Sequence, residues 1–178
     1  MKALIVFESM FGNTEAIARA IAGGLDSVGT ETVVRGIREV EPAAIGAYDV
    51  LVVGAPTHAL SLSRPTTRAD AVRQGAAPER SDLGLREWLA LVHAREHGVR
   101  PVVAVFDTKV EKARHWPGSA ARRATRAVRS SGLPVLDRPT SFYVRDTTGP
   151  LLPGEETRAR IWGRHLADLA TEAHTGVS

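Results

Sequence analysis

Ser9, Gly12 and Thr14 stand in a short turn, Glu8-Ser9-Met10-Phe11-Gly12-Asn13-Thr14, between an apolar run ending at Phe7 and a helical pattern that begins at Asn13. The chemistry this spacing suits is anion binding. A helix N-terminus offers unpaired N–H groups and a partial positive charge, Gly12 lets the backbone approach a ligand, and the two hydroxyls add donors. No Lys or Arg lies in the turn, so neutral donors would hold the anion. The same residues also suit a plain tight turn and helix cap. Neither Gly-x-x-x-x-Gly-Lys-Ser/Thr nor Gly-x-Gly-x-x-Gly occurs, which argues against nucleotide hydrolysis and against a Rossmann dinucleotide site.

Other chemistry is bounded by what the chain lacks. There is no cysteine, hence no disulfide, thiol nucleophile or cysteine-ligated metal, and any redox chemistry must come from a bound cofactor. His93 and His97 are spaced i, i+4 on an expected helix, but no third ligand accompanies them, and no metal site is expected. The net charge is +3, with 23 Lys and Arg against 20 Asp and Glu. No basic stripe is interleaved with aromatics, so no nucleic-acid partner is expected. Arg122, Arg126 and Arg129 fall along one side of an expected helix and read as a solvated face, with docking of an acidic partner as the alternative.

Positioning these residues requires elements that alternate in type. Apolar runs at Ala3 to Phe7, Val33 and Val34, Val50 to Val53, Val102 to Phe106, and around Val135 and Phe142 to Val144 read as five strands. Most are unbroken runs, as expected for parallel strands covered on both faces. Helices are expected over Asn13 to Val28 (Ile17, Ile21, Leu25 and Val28 on one stripe), around Leu85 to Val92, over Ala120 to Ser130, and from Glu155 to Thr171. His58 to Asp82 and Asp146 to Gly154 show no clean pattern. The former is too long for an ordinary connection and follows the third strand, where an open parallel sheet forms its ligand crevice. At 178 residues the expectation is one domain, 1–178. The longest apolar runs are too short for a membrane span, and the N-terminal run stops at Glu8, short of a signal peptide, so a cytoplasmic protein is expected.

The strand-turn-helix segment resembles the flavodoxin family, whose phosphate loop follows the first strand with a hydroxyl residue, two variable residues, a small residue, one variable residue and Thr. Ser9, Gly12 and Thr14 fit those places, and Phe7, Ala18 and Ile21 match the flanks. The resemblance implies a flavodoxin-like, doubly wound α/β fold: a five-stranded parallel sheet of order 2-1-3-4-5, helices on both faces and FMN at the switch point. By position, Ser9, Met10, Phe11, Gly12, Asn13 and Thr14 would hold the FMN phosphate. Pro56, Thr57, His58 and Ala59 would border the ribityl chain and ring, with His58 where a stacking aromatic often sits. Asp107 and Thr108, with the segment to Ser119, match the loop over the other ring face, with Trp116 or His115 as the stacking candidate.

Two departures from the family bear on function. Many members carry a glycine after the ring-flanking residue, whose carbonyl turns toward the flavin on one-electron reduction, but this chain has Ala59. A left-handed backbone there costs a non-glycine residue about 1 kcal/mol or more. Members are also typically acidic, whereas Arg64, Arg68, Arg114 and Lys109 are expected near this crevice. Both departures point toward two-electron chemistry. The expectation is a small oxidoreductase passing electrons from a reduced nicotinamide, NAD(P)H, or a reductase through FMN to a small acceptor. The alternatives are an electron carrier that docks on redox partners, and a flavin-free scaffold on the same fold.

Overall fold

The computed structural model describes residues 1–92 and 101–175. Five strands, β1 (Lys2–Phe7), β2 (Glu31–Gly36), β3 (Val50–Pro56), β4 (Val102–Val110) and β5 (Thr140–Val144), form one sheet of order β2-β1-β3-β4-β5. Every neighbouring pair is parallel. The helices are α1 (Asn13–Asp26), α2 (Pro65–Arg73), α3 (Leu85–Leu91), α4 (Ala120–Ser130) and α5 (Glu155–Thr175).

Alternation along β1 sends Ala3, Ile5 and Phe7 to one face and Leu4 and Val6 to the other, so both faces of the sheet must be covered. The first face meets α1 and α5, through Ile17, Ile21, Leu25, Trp162 and Leu166. The second meets α3 and α4, through Leu85, Trp88, Leu89, Ala124 and Val128. The two helices of the first face touch backbone to backbone: a Cβ on Gly24 would lie 2.2 Å from the Arg160 carbonyl oxygen, and one on Gly163 2.3 Å from that of Ile21. Beneath them Phe106, Phe142 and Trp162 meet edge to face, with centroids 6.0–6.4 Å apart.

Several expectations need correction. β4 continues four residues past Phe106, so Asp107 and Thr108 are strand residues paired with Ala55 and Pro56, and the following loop begins at Glu111. The extension follows from β5, whose five residues pair with Phe106 to Val110 and satisfy that backbone. Val135 makes only an isolated bridge to Val103, because Pro139 and the turn before it break the run. β2 runs over six residues, well beyond the two valines. α1 ends at Asp26, with Val28 exposed, and α5 continues to Thr175. The stretch 58–82 contains α2, begun by Pro65 at its first turn. Its buried residues are Arg68 and Ala71, so the helix is anchored by an ion pair and lacks the apolar stripe that would have announced it. His93 and His97 lie outside the described residues.

Candidate functional site

The carboxyl ends of β1, β3 and β4 open onto a cavity of about 410 Å³. Its floor is the turn after β1. Gly12 takes φ 88°, a left-handed value that glycine adopts without strain, and so turns the chain into α1. Ser9 Oγ accepts from the N–H groups of Gly12 (3.1 Å) and Glu15 (3.4 Å), the donors an anion would otherwise take. Thr14 Oγ1 lies 2.8 Å from Thr108 Oγ1, buried, and ties the helix start to β4. Asn13 Nδ2 donates to the Thr148 carbonyl, bringing the 146–154 segment to the rim. Met10 turns away from the sheet and packs with Ala71 and Ala76, so α2 closes over the turn.

After β3, His58 and Ser61 exchange both backbone hydrogen bonds (2.9 and 3.0 Å) around Ala59 and Leu60, which take φ 46° and 60°. This two-residue hairpin places two non-glycine residues in the left-handed region that such turns demand. Burial, reinforced by the Arg68 charge and opposed by Asp70, holds the His58 imidazole below the usual histidine range. It is neutral at pH 7. Thr57 donates its hydroxyl hydrogen to Asp107 Oδ2 (3.0 Å) and accepts from the Ala120 N–H (2.9 Å).

Asp107 is fully buried and also accepts from the Ala121 N–H at 2.8 Å, so it caps α4 and fixes Thr57. It is not among the residues lining the cavity, and neither is Gly12. The remaining residues expected in the site all line it: Ser9, Met10, Phe11, Asn13, Thr14, Pro56, Thr57, His58, Ala59, Thr108 and Trp116. Trp116 stands 62% exposed on the loop after β4. Beneath that loop Lys109 Nζ donates to the carbonyls of Trp116 (3.0 Å) and Gly118 (3.1 Å).

Of the four cations expected near the crevice, only Lys109 lines the cavity. Arg68 is buried beneath α2, donating to the Ser81 carbonyl (2.8 Å) and Ser63 Oγ (3.0 Å) and pairing with Glu87 (3.2 Å). Arg114 lies over the Tyr143 ring, 4.6 Å from its centroid, and Arg64 is exposed at the start of α2. The stretch after β3, where ligand contacts were expected, supplies a wall through Thr67, Asp70 and Ala71 of α2 and Gln74 at its end. That this wall is a helix escaped sequence reasoning, as did Thr147 from the segment after β5, Arg80 and Glu8. Arg80 Nη1 reaches the Ser9 carbonyl at 3.2 Å, and its other amino group lies 3.8 Å from Glu15. Pro65 was the available signal for the wall, as a helix-start residue. Arg80 had no signal, because a cation 71 residues away meets the turn only in the folded chain. Glu8, buried at the end of β1, accepts from the Leu85 N–H at 2.8 Å. Burial raises its carboxyl well above the usual range against the lowering effects of Ser63, Leu85 and Arg68.

A neutral-donor anion turn joined to a cleft between two loops at a sheet switch point is the arrangement of nucleotide-type cofactor sites in doubly wound folds. The flavodoxin family model matches residues 5–62, which run from β1 through the hairpin after β3. Over that segment the chain is similar to the flavodoxins. A flavodoxin from the domain Archaea superposes with a TM-score of 0.67 at 20% identity, over 96% of this chain and 99% of that one. Flavodoxin 1 from Bacillus cereus gives 0.67 at 18% identity, over 94% and 98%. The Flv1 flavodiiron core from Synechocystis gives 0.66 at 17% identity over 97% of this chain, but only 36% of that longer one. The likeness therefore extends over the whole flavodoxin-like fold, including the strands and helices beyond residue 62. Among the described residues no helix is long and apolar enough to cross a membrane.

Proposed function

We propose that this protein binds one FMN and moves electrons through it. The carrying observation is the continuity of the Ser9–Thr14 turn with the cleft between the 57–60 hairpin and the Trp116 loop. A site of about 410 Å³ is within the range of small-molecule pockets, roughly 300–1,000 Å³. The donor set fits the group: backbone N–H groups of the turn, with Ser9 and Thr14, would take the phosphate once Ser9 Oγ gives up the N–H groups it now holds. The hairpin, with His58, and Trp116 would flank the ring. FMN, when bound, supplies the redox chemistry, accepting and releasing one or two electrons.

The chain's own residues supply orientation and exclusion of water. Thr57 and Asp107 tie the hairpin to the first turn of α4, so one wall cannot shift without the other. Met10 and Ala71 shut the space behind the turn. His58, uncharged at pH 7, offers a polar ring without repelling a cationic or anionic substrate.

In the preferred reading the donor is a reduced nicotinamide or a reductase, and the acceptor is a small molecule entering beside Trp116. The exposed Trp116 and the solvent-facing arginines of α4 favour a second reading, a carrier whose partner docks over that rim. The test is an absorbance spectrum after reconstitution with excess FMN and desalting, followed by addition of NAD(P)H to the protein alone. Retained flavin bands near one per chain are expected. NAD(P)H oxidation without added reductase gives the oxidoreductase, and its absence gives the carrier. A colourless protein refutes both and leaves the scaffold reading.

A further inference from the structure

Lys109 is 4% exposed and lines the cavity, yet among the described residues no carboxylate lies within 4 Å of its Nζ. Among those residues its partners are the carbonyls of Trp116 and Gly118. An ammonium carries three donors, so one remains unused. Taking an ammonium out of water costs several kcal/mol unless an opposite charge offsets it, and two peptide dipoles offset it only partly. A cation left in this condition in a cavity wall favours an anionic ligand.

The position of the charge says which part of a ligand it serves. Successive side chains of a strand point to opposite faces. Thr108 accordingly turns to Thr14 and the anion turn, while Lys109 turns to the Trp116 loop. Arg80 meets the turn from outside the cavity, spent on the Ser9 carbonyl and Glu15, so within the lining the phosphate end offers neutral donors and the full positive charge belongs to the opposite wall.

We propose that Lys109 sets the reduction potential of this site, favouring the two-electron-reduced flavin in its anionic form. The proposal rests on the FMN reading. The balance is oxidised ring plus two electrons and one proton, giving a ring with one negative charge. Both the electrons and the proton are supplied by a reduced nicotinamide, which leaves as its oxidised form. Without the cation the second proton, which gives the neutral reduced ring, would be taken up at a higher pH.

The charged groups around this wall do not cancel the effect. Asp107, two residues back on β4, is bonded to Thr57 and Ala121. Asp70 on α2 pairs with Arg73, and His58 is neutral. Arg114 lies over Tyr143 of β5, and Glu111 and Lys112 are exposed.

The test is the midpoint potential of the holoprotein against pH, for the wild type, Lys109→Met and Lys109→Arg, with FMN and riboflavin affinities for each. Loss of the cation is expected to weaken binding of the anionic reduced ring at least tenfold, which lowers the two-electron midpoint by about 30 mV. It should also raise by about one unit the pH at which the slope of potential against pH halves. Lys109→Arg keeps both values near the wild type, and the FMN to riboflavin affinity ratio stays constant across the set. If Lys109→Met does not fold, the wild type still decides, because its slope change must fall below that of free FMN measured in the same cell. Three results overturn the role: an unshifted potential and slope in Lys109→Met, a change confined to the FMN to riboflavin ratio, which would assign Lys109 to the phosphate, or a wild-type slope change at or above that of free FMN. A wild type that desalts colourless refutes the FMN reading, whereas a yellow one with any of these three results refutes only the role of Lys109.

Discussion

Arg68→Met should unhook one wall of the cavity while leaving the sheet intact. The guanidinium is 1% exposed and holds three separate pieces of chain to α2: the Ser81 carbonyl, Ser63 Oγ and Glu87. Methionine fills similar space but offers no donor, so the substitution isolates the polar contribution. Breaking a buried ion pair by removing one partner costs about 3–5 kcal/mol. Here the Glu87 side chain is 35% exposed, so water re-solvates it in part and the Coulombic share must be discounted. The Ser81 carbonyl and Ser63 hydroxyl each forfeit a hydrogen bond from a charged donor, roughly 1.5–3 kcal/mol apiece before relaxation. With loop relaxation the net is about 2–4 kcal/mol, or roughly 5–15 °C in Tm for a chain of this size. Equilibrium urea unfolding followed by circular dichroism reads it. The same cation lowers both the Glu8 carboxyl and the His58 imidazole, so both should titrate higher in the variant, as an NMR titration would show. FMN should bind more weakly, because Asp70, Ala71 and Gln74 stand on the released helix. A loss below about 1 kcal/mol with unmoved His58 and Glu8 titrations would show that Arg68 is not the anchor of α2.

Other perturbations probe the packing, the hairpin and the buried acid. Gly163→Ala forces a methyl to within 2.3 Å of the Ile21 carbonyl and should cost roughly 2–3 kcal/mol in urea unfolding, with FMN affinity per folded molecule unchanged; a neutral result would mean that α1 and α5 separate freely. Ala59→Gly relieves a left-handed alanine and should stabilise by about 0.5–1 kcal/mol, with a lower Tm as the contrary outcome. Glu8→Gln tests the buried acid: because the folded carboxyl is raised above its ordinary 4.5, the folded state binds more protons. Wild-type stability attributable to Glu8 is therefore full below 4.5 and is lost as pH rises through the folded value. Glu8→Gln removes that loss, so its stability relative to the wild type should climb from pH 4.5 upward; a constant difference between pH 4.5 and 8 contradicts the assignment.

Local patterns in the chain carried much of this protein. The apolar runs at 3–7, 50–53 and 102–106 marked three central strands because a strand covered on both faces has no polar side to interrupt it. α4 is bounded by Ala120 and Ser130 as read, since Ser119 caps it and Gly132 and Pro134 stop it. The turn from Ser9 to Thr14 was legible for the same reason, its hydroxyls and glycine being adjacent in sequence.

Only tertiary structure decided the rest. α2 went unseen because its inner face is an arginine, and an arginine reads as solvent-facing until Glu87, Ser63 and Ser81 are brought around it. The two β4 residues expected in a binding loop took different parts. Asp107 caps a helix starting thirteen residues later, while Thr108 meets a hydroxyl 94 residues away. Lys109 acquires its meaning in the same way: one of three lysines in the sequence, it becomes a buried cation facing the cavity only when β5 draws β4 out to Val110. Local spacing fixes backbone conformation, whereas the charge state and partners of a side chain depend on what folding places around it.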